Sequence, residues 1–177
     1  MKDNLFDNYG GITVQVKFKG NLVNLAGNIV EIGSVARDFV AVDNDLNDFS
    51  FKDTSNVKIL LSVPSIETRV CDLEVKEFNE RAAEIPGVEI ITVSMDLPFS
   101  QAKWCAANGI EQVKTVSDYK YRSFGEEYGT YIKEVGLLAR AAFVVDSSNK
   151  VIYAEYVKEV STNPDFNAII KAAKEAK

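Results

Sequence analysis

Cys71 and Cys105 are the strongest nucleophiles in this 177-residue chain, and no histidine accompanies them. A cysteine reacts as its thiolate, so something must favour the charged sulfur. The missing imidazole removes Cys-His and Ser-His-Asp mechanisms, in which histidine is the base. It also removes HExxH proteases, three-histidine zinc sites and histidine-ligated haem. Two cysteines are too few for a four-cysteine zinc or iron–sulfur cage, so no metal and no cofactor is expected. Activation must come from arginine, lysine, backbone dipoles or carboxylates.

The position of Cys71 supplies part of it. Val57 to Val63 is a nearly continuous apolar run of strand length, ended by Pro64. Beyond it Cys71, Val75, Phe78, Ala82 and Ile85 recur at the period of one helical face. Thr68 is the N-cap of that helix, which puts Cys71 at N3, among free N–H groups and partial positive charge. Both favour a thiolate. Asp72 and Glu74 oppose it, so a cation is needed. Arg69 is close in sequence. Arg140 is isolated inside Val135 to Val145, where every other residue is apolar or glycine. A charge there is costly to bury without a partner. Position alone also fits a plain buried thiol at Cys71 and an exposed arginine at Arg140.

Cys105 lies 34 residues downstream of Cys71, beside Trp104. The spacing is not Cys-x-x-Cys, so dithiol exchange between near neighbours is not expected. A disulfide between the two would join different helices; an unrelated buried thiol fits as well. Asp96, Asp118 and Asp146 sit near strand ends, where α/β folds place functional loops, but no metal spacing emerges. The glycines form no phosphate loop. The stripe of Phe124, Tyr128 and Tyr131 reads as core.

The elements that must hold these residues follow from periodicity. Ile12 to Phe18 alternates, Lys19-Gly20-Asn21 turns the chain, and Leu22, Val23 and Leu25 return it, a β-hairpin over 12–26. Gly33 to Asn56 reads as turn-rich loop. After Val57–Val63 and its helix, stopped at Pro86-Gly87, comes a strand over Val88–Ser94. A helix over Ser100–Asn108 and a strand over Val113–Ser117 follow. Tyr121 to Lys133 is weakly helical. Ala141–Val145 and Val151–Val157 form a hairpin. Asn163-Pro164-Asp165 opens a last helix with proline at the first helical position. Alternating strands and helices predict an α/β fold with a mainly parallel central sheet flanked by helices. A thioredoxin-like fold with insertions fits, and other small α/β sheets fit the bare pattern almost as well.

The length suits a single domain over 1–177. Apolar residues make up 46%, enough for a core without disulfide staples. A net charge of −6 argues against nucleic-acid or anionic-membrane partners. The opening Met1 to Phe6 has no apolar signal region, and no apolar run approaches a membrane span. A cytoplasmic location is expected, with both thiols reduced at rest.

Taken together these residues resemble the thiol peroxidase branch of the peroxiredoxins. Pro64-Ser65-Ile66-Glu67-Thr68-Arg69-Val70-Cys71 matches the pattern Pro-x-x-x-Thr-x-x-Cys. Asp96-Leu97-Pro98-Phe99 with Trp104-Cys105, the segment Gly136-Leu137-Leu138-Ala139-Arg140, and Phe143-Val144-Val145-Asp146 extend the match. Phe18-Lys19-Gly20-Asn21 looks like the branch's N-terminal hairpin. One departure is Ala36-Arg37-Asp38-Phe39, where the family usually has Ala-Pro-Asp-Phe.

The resemblance implies a thioredoxin-like fold and a peroxidase. Cys71 would be the peroxidatic cysteine, oxidised by hydrogen peroxide or an organic hydroperoxide to a sulfenic acid. Thr68 would hydrogen-bond the sulfur and the peroxide. Arg140 would keep the sulfur charged, and Pro64 would shield the site. Cys105 would be the resolving cysteine, closing an intramolecular disulfide that thioredoxin reduces. A homodimer is implied too. The alternative is a redox switch, in which the same disulfide signals peroxide to a partner with little turnover.

Overall fold

The computed structural model describes residues 14–176. Ile12, the expected start of the first strand, lies outside them, as does the Met1–Phe6 segment. The hairpin is β1 (Gln15–Phe18) and β2 (Asn21–Ala26). Phe18 pairs with Asn21, so the turn is the two residues Lys19 and Gly20. Both have positive φ, 51° and 81°, the twist a two-residue hairpin requires.

The stretch read as loop contains two strands, β3 (Val40–Val42) and β4 (Asp48–Ser50). Three residues each are too few for alternation to register. The turn between them is held by Asp43, whose carboxylate accepts the N–H groups of Asp45 and Asn47, each at 2.9 Å.

The site is framed by β5 (Lys58–Ser62), α1 (Arg69–Arg81), β6 (Glu89–Ser94), α2 (Pro98–Asn108) and β7 (Val113–Ser117). All five β5 residues are buried, as its apolar run demands. Helix α2 starts two residues before the expected Ser100, because Pro98 suits the first helical position.

The expected helix over Tyr121–Lys133 is mostly absent. Only α3 (Ser123–Glu127) forms; β8 (Tyr131–Ile132) and β9 (Leu137–Leu138) follow. Gly129, at φ 59°, turns the chain out of the helix. Then come β10 (Ala141–Val145), β11 (Val151–Tyr156) and α4 (Phe166–Glu175). Asp165, not Asn163, caps α4, accepting the Ala168 N–H at 3.0 Å, so Pro164 precedes the helix.

The main sheet runs β11-β10-β5-β6-β7-β3-β4. Its centre, β5-β6-β7, is parallel, while β10, β11, β3 and β4 pair antiparallel. The sheet is therefore mixed, not mainly parallel as a whole. Parallel pairing needs a crossover returning the chain to the starting edge, as α1 and α2 do. The segment after β7 instead crosses to the far side of β5 and enters from the opposite end. On one face α1 and α4 bury Val75, Phe78, Ile169 and Ile170 against Ile59, Leu61 and Val144, and Trp104 and Cys105 of α2 pack against them. On the other, Phe39, Phe124, Tyr128 and Phe143 form an aromatic core. The hairpin continues through β8 and β9 into a second, four-stranded sheet. No helix among the described residues is long and apolar enough to cross a membrane.

Candidate functional site

Strand β5 ends at Ser62, and the chain passes through buried Val63 and Pro64 into a tight loop. The Thr68 N–H bonds the Ser65 carbonyl at 3.1 Å, and Asp72 N–H bonds the Thr68 carbonyl at 2.9 Å, opening α1. Thr68 is the N-cap residue with extended backbone, but its side chain caps nothing. Its hydroxyl lies 3.0 Å from the Ser65 carbonyl and 2.8 Å from Cys71 Sγ. A hydroxyl has one proton, so it serves one acceptor at a time. The expected N-cap is right in position and different in use: the oxygen is turned to the sulfur.

Cys71 is fully buried in a cluster with Val63 and Ile66, against which Trp104 packs. Arg140 Nη2 donates to its Sγ at 3.0 Å. Arg140 arrives there through strand register. Ala141 pairs with Ser62 across β10 and β5, so the preceding residue stands beyond the C-terminal end of β5. Ser62 Oγ bonds the Ala139 carbonyl at 2.7 Å and fixes that junction. The guanidinium is 1% exposed. Nε donates to the Val160 carbonyl at 2.9 Å, and Nη1 to Glu74 Oε2. Arg69, the other candidate cation, is exposed.

Glu74 is the residue that sequence reasoning undervalued. It counted only as an opposing charge, yet it is wholly buried on the same face of α1 as Cys71, three residues on. That spacing, on an otherwise apolar face, was the available signal. Burial pushes its carboxyl up from 4.5 to about 7; Arg140 pulls down against that, and the Glu155 charge adds to the rise. Its Oε1 has no hydrogen-bond partner.

Cys105 is partly buried on α2, free like Cys71. Its Sγ lies 3.5 Å from Thr115 Oγ1 on β7, and burial pushes its thiol up, with the Thr115 contact opposing. Trp104, its neighbour, packs against Cys71, so the two cysteine segments meet at that ring. Of the weaker candidates, Asp96 accepts from Ser65 Oγ and Ile66 N–H, holding the loop before Cys71. Asp118 is buried against the N–H groups of Phe124 and Gly125, and Asp146 takes the N–H groups of Ser148 and Lys150 in its hairpin loop. Among the described residues no cluster of three acidic or cysteine side chains could hold a metal.

Chemically, the site offers one sulfur facing two donors, a hydroxyl and a guanidinium, at the start of a helix. Both donate toward sulfur, an array that can also orient an incoming oxygen.

A family model described as the AhpC/TSA family matches residues 32–154. A thiol peroxidase of Clostridium acetobutylicum is 56% identical over 164 residues, covering 93% of this chain and all of that protein. The Bacillus subtilis thiol peroxidase is 48% identical, over 90% of this chain and 96% of its own length. Among solved structures, a peroxiredoxin-like protein from Aquifex aeolicus superposes with a TM-score of 0.87 at 36% identity, covering 94% of this chain and all of that one.

Proposed function

The chain belongs to the AhpC/TSA family, in its thiol peroxidase branch, and from that membership we propose that Cys71 is the residue oxidised by the peroxide. As a peroxidase of this family it takes a peroxide as substrate and a thiol as reductant. The observation that carries the assignment is the convergence of Thr68 Oγ1 and Arg140 Nη2 on one buried sulfur, at 2.8 and 3.0 Å.

The thiolate attacks one oxygen of the hydroperoxide, the O–O bond breaks, and hydroxide or alkoxide leaves, taking a proton from solvent to become water or an alcohol. Cys71 is left as a sulfenic acid. Arg140 and Thr68 stabilise the charge that shifts from sulfur to the leaving oxygen. Pro64 closes the site against water. The Cys105 thiol then condenses with the sulfenic acid, releasing water and forming an intramolecular disulfide. Thioredoxin, a dithiol, reduces that disulfide. The partly buried position of Cys105 and its shared contact through Trp104 support its part. Residues 1–177 act as one domain, supported by a seven-stranded sheet that draws strands from residues 40 to 156. A homodimer is supported by Leu97 and Phe99, 50% and 66% exposed at the entry to α2. Thiol recycling suits the cytoplasm, where thiols stay reduced.

One equivalent of peroxide, followed by mass mapping, should yield a Cys71–Cys105 disulfide. Cys71→Ser should abolish turnover. Cys105→Ser should consume about one equivalent, then stop, with Cys71 overoxidised. Turnover retained in Cys71→Ser would overturn the assignment. A single equivalent consumed by the unmodified protein with thioredoxin present would favour the redox switch.

A further inference from the structure

A Cys71–Cys105 disulfide takes Cys71 from Thr68 and Arg140 and Cys105 from Thr115, and one carboxylate ties the two segments together. Asp96, between β6 and α2, accepts three side-chain hydrogen bonds: from Ser65 Oγ at 2.7 Å, Ile66 N–H at 2.9 Å and Ser94 Oγ at 2.7 Å. The first two donors belong to the loop before α1. There the Ser65 carbonyl accepts the Thr68 N–H at 3.1 Å, and the Thr68 hydroxyl reaches Cys71. The third bond leads the other way. Ser94 Oγ accepts from Gln101 Nε2 at 2.9 Å, and that amide also donates to the Val116 carbonyl at 3.0 Å. Gln101 is fully buried in the first turn of α2, four residues before Cys105 and on the same helical face. Asp96 is thus the centre of a relay running Cys71, Thr68, Ser65, Asp96, Ser94, Gln101.

We propose that Asp96 is a positioning residue that makes the two cysteine segments open together, and so sets how oxidised Cys71 divides between disulfide and overoxidation. This rests on the Cys71–Cys105 reading above. Two fates compete for the sulfenic acid. With the Cys105 thiol it forms a disulfide and one water. With a second hydroperoxide it forms a sulfinic acid and one water or alcohol. The first needs Cys71 drawn away from Thr68 and Arg140 and Cys105 away from Thr115, because a disulfide replaces these sulfur contacts with a covalent bond. The second needs Cys71 kept in place beside Arg140. Opening one segment alone brings no sulfur to the other. The relay's bonds hold both segments closed and release them as a unit, so an intact relay favours the sulfinic acid at high peroxide, and a weakened one the disulfide.

The test uses Ser65→Ala, which weakens the relay on one side of Asp96 while the Ile66 N–H bond stays, and Gln101→Leu, which cuts it on the other; both leave Asp96 intact. Hydrogen exchange is followed by mass spectrometry on the reduced full chain. Ser65→Ala should speed exchange in residues 98–105 as well as in 65–71, by about tenfold for one bond lost to a charged acceptor. Gln101→Leu should do the same to residues 65–71. With hydrogen peroxide as oxidant and dithiothreitol as reductant, the peroxide level that makes half of Cys71 sulfinic should rise by a similar, roughly tenfold factor. A Ser65→Ala protein loosened only in 65–71, or an unchanged sulfinic threshold, overturns the proposal. Should Gln101→Leu fail to fold, Ser65→Ala, which removes one partly buried hydroxyl, still decides. If the unmodified protein forms no Cys71–Cys105 disulfide, the functional reading falls, while cross-segment exchange still decides whether Asp96 couples the segments.

Discussion

Arg140 carries one positive charge and faces two groups that can be negative, Cys71 and Glu74. A buried ion pair returns its desolvation cost only when both partners are well bonded. Glu74 is half bonded, with Oε1 unpaired, which fits a carboxyl pushed up to about 7 by burial. Its value in the folded chain lies above that in the unfolded chain. The stabilising contribution is therefore complete below about pH 4.5 and is lost as pH rises through about 7. Glu74→Gln keeps an oxygen for Arg140 and cannot ionise. Relative to the unmodified protein, the variant should gain stability between pH 4.5 and 7, by up to about 3 kcal/mol. Urea unfolding across that range, with thiols reduced, measures it, and parallel pH curves for the two proteins would contradict it. No imidazole titration can enter the rate profile either, since the chain has no histidine.

At the scale of elements, short connections decide what meets the site. Helix α3 is only five residues long, and β2 closes against its end: the Asn28 N–H donates to the Glu126 carbonyl at 2.7 Å. Gly27 makes this approach possible. It has φ 106°, and a Cβ there would overlap the Glu126 carbonyl oxygen and lie 2.8 Å from that of Gly125. Backbone oxygens cannot turn aside as a side chain can. Gly27→Ala should destabilise the fold by about 2–4 kcal/mol. Thermal unfolding reads this; a loss under about 0.5 kcal/mol, the ordinary range for a surface substitution, would refute it. The same region explains why periodicity misread residues 121–133. Phe124 and Tyr128 are spaced as on a helix and stack at 4.7 Å, but Gly129 ends the helix one residue later. Apolar spacing reports burial, and here burial is served by one turn of helix and two two-residue strands.

For the molecule as a whole, the proposed mechanism keeps the central sheet fixed and asks the two cysteine segments to adjust. Strands β5, β6, β7 and β10 are buried almost throughout, whereas Thr68 and much of α2 are exposed. Exchange protection follows such differences in burial and bonding. Forming the disulfide should raise exchange in residues 64–75 and 96–108 and leave the four central strands protected. The single tryptophan, Trp104, lies against Cys71 and should change its emission in the same step. Superimposable backbones in both segments of reduced and oxidised protein would exclude this rearrangement.

Much of the site was legible along the chain because its parts are local. Thr68, Cys71 and Pro64 fall within eight residues, and helix geometry alone brings the hydroxyl under the sulfur. Arg140 was suspected from its isolation among apolar residues, since a lone charge in a buried run needs a partner. Which partner it takes is not a local property. Arg140 reaches Cys71, 69 positions away, because β10 pairs with β5 at Ala141 and Ser62. Glu74 changes from an opposing charge to a buried partner only when that register closes over it. The Asp96 relay likewise joins three segments that no periodicity connects. Residue types and short spacings determined the candidate nucleophile and the chemistry proposed for it. Strand pairing over long separations decided which charges face it, because one step of register moves every side chain to the opposite face.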